Sequence, residues 1–155
     1  MRRLNDPRLR ENFVERVFAY RRLRTMLDGR FSQGRLVAFH AAHKYQLLAH
    51  SPAGYRELGK LVAGGSALPA AELKARYAEG FMQALLPQAT RYKNVNVLQH
   101  ILGHFKKLIS PQDKEEALQH IDDYRQGLVP LVVPLTLLQH FLRHSDDEWL
   151  KGQTY

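Results

Sequence analysis

Three pairs of histidines stand at helical spacing: His40 and His43, His100 and His104, and His140 and His144. Two imidazoles three or four residues apart share one helix face, the geometry a divalent metal uses, with facing helices supplying the other ligands. Carboxylates are nearly absent from these helices, however, and no Glu-x-x-His spacing of the di-iron bundle type occurs. Hydrogen-bonded or phosphate-facing histidines are the competing reading. A complete active site is not visible: there is no Gly-rich phosphate loop, no nucleophile elbow and no carboxylate pair beside the basic helices.

What recurs instead is a mixture of cations, histidine and tyrosine: His43-Lys44-Tyr45, Tyr55-Arg56, Arg91-Tyr92-Lys93 and Tyr124-Arg125. Cations neutralise phosphates while aromatics stack on exposed bases, which is how RNA loops and single strands are held. The plainer alternative makes each tyrosine a core residue with its hydroxyl at the surface. The net charge of +8 is unevenly spread: the excess is +7 over residues 1–50, +5 over 51–109 and −4 over 110–155. A basic field confined to part of a chain attracts polyanions, nucleic acid or an acidic partner among them. Such a field also serves ordinary solubility.

At 155 residues, 45% of them hydrophobic, the chain is long enough for one domain with its own core. It has no cysteine, which excludes disulfides, thiolate metal sites, iron–sulfur ligation and a cysteine nucleophile from within it. No apolar run approaches the roughly 20 residues that span a bilayer, and the Arg-rich start lacks a signal-peptide core. A cytoplasmic protein with no membrane association is expected.

The stretch Arg91 to Ile109, RYKNVNVLQHILGHFKKLI, organises the rest. Leu98, Ile101, Leu102, Phe105, Leu108 and Ile109 form one apolar stripe that must be buried, while His100, His104, Lys106 and Lys107 give the helix a cationic back. A first helix is predicted from Asp6-Pro7 to Asp28-Gly29, with Leu9, Phe13, Val17, Tyr20 and Leu27 as its apolar row, widened by Val14 and Phe18. Arg21, Arg22 and Arg24 crowd its last turns. A second helix runs from the cap Ser32 to His50 with Leu36, Phe39, Ala42 or His43, and Leu47 inward, and Ser51-Pro52 starts a third that ends at Gly64-Gly65. A fourth carries Leu73, Tyr77, Phe81 and Leu85 at four-residue steps. After the central helix, Ser110-Pro111 caps an acidic helix closed by Gly127, and Pro134 opens an almost wholly apolar one through Leu142, expected to be the most buried. Asp146 to Leu150 add a short turn. The expected fold is all-α, a single compact bundle of about six to seven helices.

The pieces HKYQLLAHS (His43 to Ser51), YRELGKLVA (Tyr55 to Ala63), NVLQHILGHFKK (Asn96 to Lys107) and YRQGLVPLVVPLTLLQH (Tyr124 to His140) resemble the YbgA-like domain family, and with the intervening helices they cover nearly the whole chain. The opening RLNDPRLRENFVERVFAYRRL resembles the junction that follows a cysteine-bearing desulfidase domain in two-domain relatives. That resemblance implies a C-terminal domain of a longer protein, with a family pattern continuing past Gln153-Thr154-Tyr155. It also implies removal of sulfur from thiolated uracil, including 4-thiouridine in tRNA, by an iron–sulfur cluster held in the other domain. This chain would have no cofactor or catalytic residue of its own and would bind and present the RNA. The matched polar residues are His43, Lys44, His50, Tyr55, Lys93, Asn96, His100, Lys106, Lys107, Tyr124 and His140.

The expected phosphate contacts are Arg21, Arg22, Arg24, Lys44, Arg56, Lys60, Arg91, Lys93, Lys106 and Lys107, with Arg125 beside Tyr124. Tyr45, Tyr55 and Tyr92 are the stacking candidates. Two alternatives stand beside RNA binding: a histidine-based metal or catalytic site, and an interaction module whose basic face docks the desulfidase domain.

Overall fold

The computed structural model describes residues 6–155, and among the described residues the fold is all-α, with nine α-helices, one short 3-10 turn and no strand. Arg3, Leu4 and Asn5, part of the opening segment quoted above, lie outside the described residues. The helices gather into two compact units, the first reaching to Ala89 and including Thr154–Tyr155, the second spanning Thr90–Gln153.

The first unit contains α1 (Pro7–Asp28), α2 (Gln33–Ala42), α3 (Lys44–His50), α4 (Pro52–Ala63), the 3-10 turn Gly65–Ala67 and α5 (Ala70–Ala84). Its boundaries follow from capping chemistry. The Ser32 hydroxyl accepts the Arg35 amide at 3.2 Å and the Ser51 hydroxyl accepts that of Gly54 at 3.0 Å, so each satisfies an amide left without a helical partner. The single helix expected from Ser32 to His50 is two, divided at His43. There the Phe39 carbonyl accepts both the backbone N–H of His43 (3.2 Å) and its ring Nδ1 (2.7 Å), a shared acceptor at the point where the two helices meet.

The four-step row of α5, Leu73, Tyr77, Phe81 and Leu85, is buried throughout and meets Leu36, Leu47, Leu58 and Val62. The expectation for α1 is corrected: its inward residues are Ala19, Leu23 and Met26, while Leu9, Phe13, Val14, Val17, Phe18 and Tyr20 are exposed. Polar partners on α3, described below, set that rotation.

The second unit contains α6 (Arg91–His104), α7 (Pro111–Gln126), α8 (Val132–Arg143) and α9 (Glu148–Lys151). Ser110 and Asp113 form a reciprocal capping box at the start of α7, and Gly127 closes it at φ 84°, a left-handed conformation that favours glycine. Val97, Leu98, Ile101, Leu102 and Phe105 line the buried side of α6. Two expectations fail here. The central helix stops at His104, because Phe105 and Leu108 amides bond three residues back and tighten the end, and Leu108 is left 62% exposed. Helix α8 is not the most buried, since apolar residues surround it but only Pro134, Leu138 and Phe141 find a packed face.

Gly54 marks where α4 and α5 approach most closely, since a Cβ there would lie 2.7 Å from the Ala84 Cβ. Gly54→Leu is expected to force the pair apart and destabilise the chain by about 1–3 kcal/mol, read as an earlier urea midpoint. An unchanged midpoint would show that this contact is not tight.

Candidate nucleic-acid interface

Helix α6 divides its two faces sharply. Tyr92, Asn96, Gln99, His100 and Gly103 recur at spacings of four, three, one and three residues, so they share the exposed side, which Lys106 and Lys107 extend into the following turn. Tyr92 is the most exposed large hydrophobic side chain of the unit at 82%. Residues 91–109 contain no Asp or Glu, so this stripe of donors, cations and one free aromatic face carries no acid of its own. Asp147 reaches its edge, 2.9 Å from the Nδ1 of His104, whose ring also stacks on Trp149. The Leu150 amide, opposed by modest burial, and then His104 hold the Asp147 carboxyl below its usual range.

The other expected contacts are distributed unevenly. Arg21 and Arg56 are exposed. Arg24, Lys60 and Arg125 are exposed but paired along their own helices, with Asp28 at 3.2 Å, Glu57 at 2.9 Å and Asp122 at 2.6 Å. Such surface pairs contribute only ~0–1 kcal/mol each and yield readily to a stronger anion. Lys44 lies 5.4 Å over the Tyr45 ring and Lys93 is half-buried. Arg91 turns away from the stripe and covers the Tyr124 ring at 5.6 Å.

Four of the expected RNA contacts are buried, and their role is corrected to a structural one. Tyr45 is enclosed in the first unit. Tyr124 is enclosed in the second, where its hydroxyl accepts the Asn94 amide at 3.0 Å. His43 and His50 face α1. Tyr55, half-buried, stacks on His40 at 5.0 Å, so one of its faces is already taken, and burial pushes its hydroxyl pKa up.

His43 and His50 belong to a polar chain that joins α1 to α3. His50 Nδ1 donates to the Pro87 carbonyl at 2.7 Å, and its Nε2 lies 3.1 Å from a Glu15 oxygen. The other Glu15 oxygen accepts Gln46 at 3.0 Å. The Gln46 carbonyl faces Arg22 Nη2 at 3.3 Å, and Arg22 Nε donates to His43 Nε2 at 3.1 Å. With Nε2 accepting and Nδ1 donating to Phe39, His43 is the neutral Nδ1–H tautomer. Thr154 adds its hydroxyl near Gln46 at 3.4 Å. Burial raises the Glu15 carboxyl, but His50, Gln46 and Arg22 together bring it below its usual value. Sequence reasoning missed Glu15 and Gln46. Their signal is matched spacing, Glu15 and Arg22 seven apart on one helix, His43, Gln46 and His50 three and four apart on the other.

The histidine pairs therefore separate. His40 and His43 are consumed by Tyr77 (3.1 Å to His40 Nδ1), Phe39 and Arg22. His100 is exposed while His104 is paired. His140 and His144, with ring centroids 4.9 Å apart, line a cleft of about 330 Å³ with Asp113 and Glu116. Among the described residues no three His, Asp or Glu side chains are arranged to hold a metal ion. No helix among them is long and apolar enough to cross a membrane.

An all-helical chain with an acid-free cationic stripe and a buried polar chain around His43 and His50 is thus the class of protein to be placed. It belongs to the family described as "Protein of unknown function (DUF1722)", which matches residues 44–155. It is 30% identical over 153 residues to the "Uncharacterized protein YbgA" of Escherichia coli (strain K12), covering 98% of this chain and 90% of that protein. No solved structure matches it.

The His43 environment has a pH consequence. Burial holds its pKa down to about 4 from 6.5; the Phe39 bond opposes this, and Arg22 and His40 add to it. The unfolded chain therefore binds a proton first, so the stability from neutral His43 is full above pH 6.5 and is lost as pH falls toward 4. The loss is on the order of 3 kcal/mol. His43→Gln is expected to lower stability at pH 7 and to flatten the pH 6.5-to-4 slope of urea stability, with a residual slope from His40, whose pKa burial also lowers. A variant slope equal to the parent's would remove His43 as its source.

Proposed function

We propose that this chain binds structured RNA, with tRNA the leading candidate, chiefly through phosphates, and that α6 is the principal contact. The observation that carries this reading is the acid-free exposed stripe Tyr92, Asn96, Gln99, His100, Lys106 and Lys107. Phosphates meet ammonium and imidazole groups there, the amides of Asn96 and Gln99 donate to sugar and phosphate oxygens, and Tyr92 offers a free ring to an unstacked base. Arg56, exposed on the first unit, is a further phosphate contact. Shape is read more than sequence, because most of these groups bind the backbone and not base edges.

The resemblance of the opening segment to a desulfidase junction supports a narrower form of the same proposal. The bound RNA would be thiolated, and this chain would present it to an iron–sulfur desulfidase domain in cis or in trans. With no cysteine, the chain supplies no cluster ligand through sulfur. Its part would be affinity and positioning, and the chemistry would lie in the other domain.

A gel-shift titration with total tRNA at two salt concentrations, with duplex DNA of similar length as competitor, tests the proposal. The expected result is micromolar or tighter binding that prefers tRNA and weakens steeply with salt. Lys106→Ala with Lys107→Ala should weaken binding and reduce the log–log salt slope by about one to two, while thermal unfolding is unchanged. Tyr92→Ala should cost about 1–3 kcal/mol if its ring stacks on a base. Equal binding to DNA, or none to tRNA, overturns the reading.

A further inference from the structure

The outer face of α1 is apolar where a helix surface is ordinarily polar. Leu9, Phe13, Val14, Val17, Phe18 and Tyr20 are 36–55% exposed on one helix. A contiguous apolar patch of that kind marks an interaction surface. Its outward direction is fixed by the opposite side of the same helix. Ala19, Leu23 and Met26 enter the core there, and Glu15 and Arg22 are tied to α3 through His50, Gln46 and His43. Rotating α1 to bury its phenylalanines would break that chain.

The pattern along the face identifies the occupant. Glu11, Val14, Phe18 and Arg21 follow one another at spacings of three, four and three, a single seam along the helix. Run antiparallel against itself, the seam sets Glu11 opposite Arg21, Val14 opposite Phe18, Phe18 opposite Val14 and Arg21 opposite Glu11. A two-fold interface needs this self-complementarity, in which each residue meets its counterpart's partner. Glu11 and Arg21 are both exposed, and neither forms an ion pair with another described residue. Arg24, by contrast, is held by Asp28 on its own helix. Antiparallel helices also oppose their dipoles favourably. Among the described side chains, Arg10 is a like charge near the second copy's Arg21, and it lies at the exposed rim, where water and salt screen it.

We infer that α1 is a homodimerisation helix, pairing antiparallel with α1 of a second copy across an axis between Val14 and Phe18. This does not depend on RNA binding, since α1 and α6 belong to different units. Sedimentation of the whole chain from micromolar to several hundred micromolar protein tests it. A monomer–dimer equilibrium is expected, with dimer lost in Phe18→Glu. Glu11→Arg and Arg21→Glu should each weaken the dimer roughly tenfold, and the two together should restore it to within about threefold of the parent, because the swapped charges again face each other. Circular dichroism and thermal unfolding should match the parent for both exposed sites. A monomer at every concentration, a dimer indifferent to Phe18→Glu, or single-charge losses that the double reversal leaves unrepaired would each overturn the antiparallel α1 interface.

Discussion

The structure of the first unit depends on how Glu15 and Arg22 are satisfied. Both sit on the side of α1 that faces protein, where an unpaired charge would be costly. The solution is a single run of partners, from the Pro87 carbonyl through His50, Glu15, Gln46, Arg22 and His43 to the Phe39 carbonyl. Its two ends rest on backbone: the loop after α5 and the last turn of α2. A polar chain of this kind specifies orientation more than it adds stability, because an apolar pair of similar shape could fill the same space. Orientation is what α1 needs, since its apolar residues surround most of its circumference and hydrophobicity alone would not choose a side.

The same chain explains the division of α2 from α3. His43 has to offer Nε2 to Arg22 and therefore carries its proton on Nδ1, which must find an acceptor. The Phe39 carbonyl accepts it, at the residue where the two segments meet. Local geometry here is a consequence of tertiary pairing. The reverse order, a helix break that happened to place an imidazole, leaves the tautomer unexplained.

This is also why the sequence was legible in some places and opaque in others. Caps at Ser32, Ser51 and Ser110 and the closing Gly127 act within a few residues, so they can be read locally. The row Leu73, Tyr77, Phe81, Leu85 is legible because polar residues surround it and only one face is available for burial. The apolar stripe of α1 misled because Leu9, Phe13, Val17 and Tyr20 form a better periodic row than Ala19, Leu23 and Met26, and periodicity cannot weigh two half-buried, partnered charges on the other side. Helix α8 misled for a related reason: a helix that is apolar all round predicts burial all round, whereas its neighbours cover one side. Residue type alone also could not separate Tyr92, which is free, from Tyr45 and Tyr124, which are enclosed; that difference depends on which helices pack where.

Two surfaces remain once the interior is accounted for, and they differ in chemistry. The α6 stripe is polar, acid-free and cationic, and apolar partners would gain nothing from it. The outer face of α1 is apolar with one acid and one base placed at matched distances from its centre, and phosphates would find few donors along it. A single polyanion would not use both well. Under the two proposals above, this chain's helices carry two separable tasks, recognition of an anion on one helix and association through another. Because α1 is positioned by buried polar bonds and α6 by its own apolar stripe, a change on either exposed face can alter one task while leaving the packing beneath it intact.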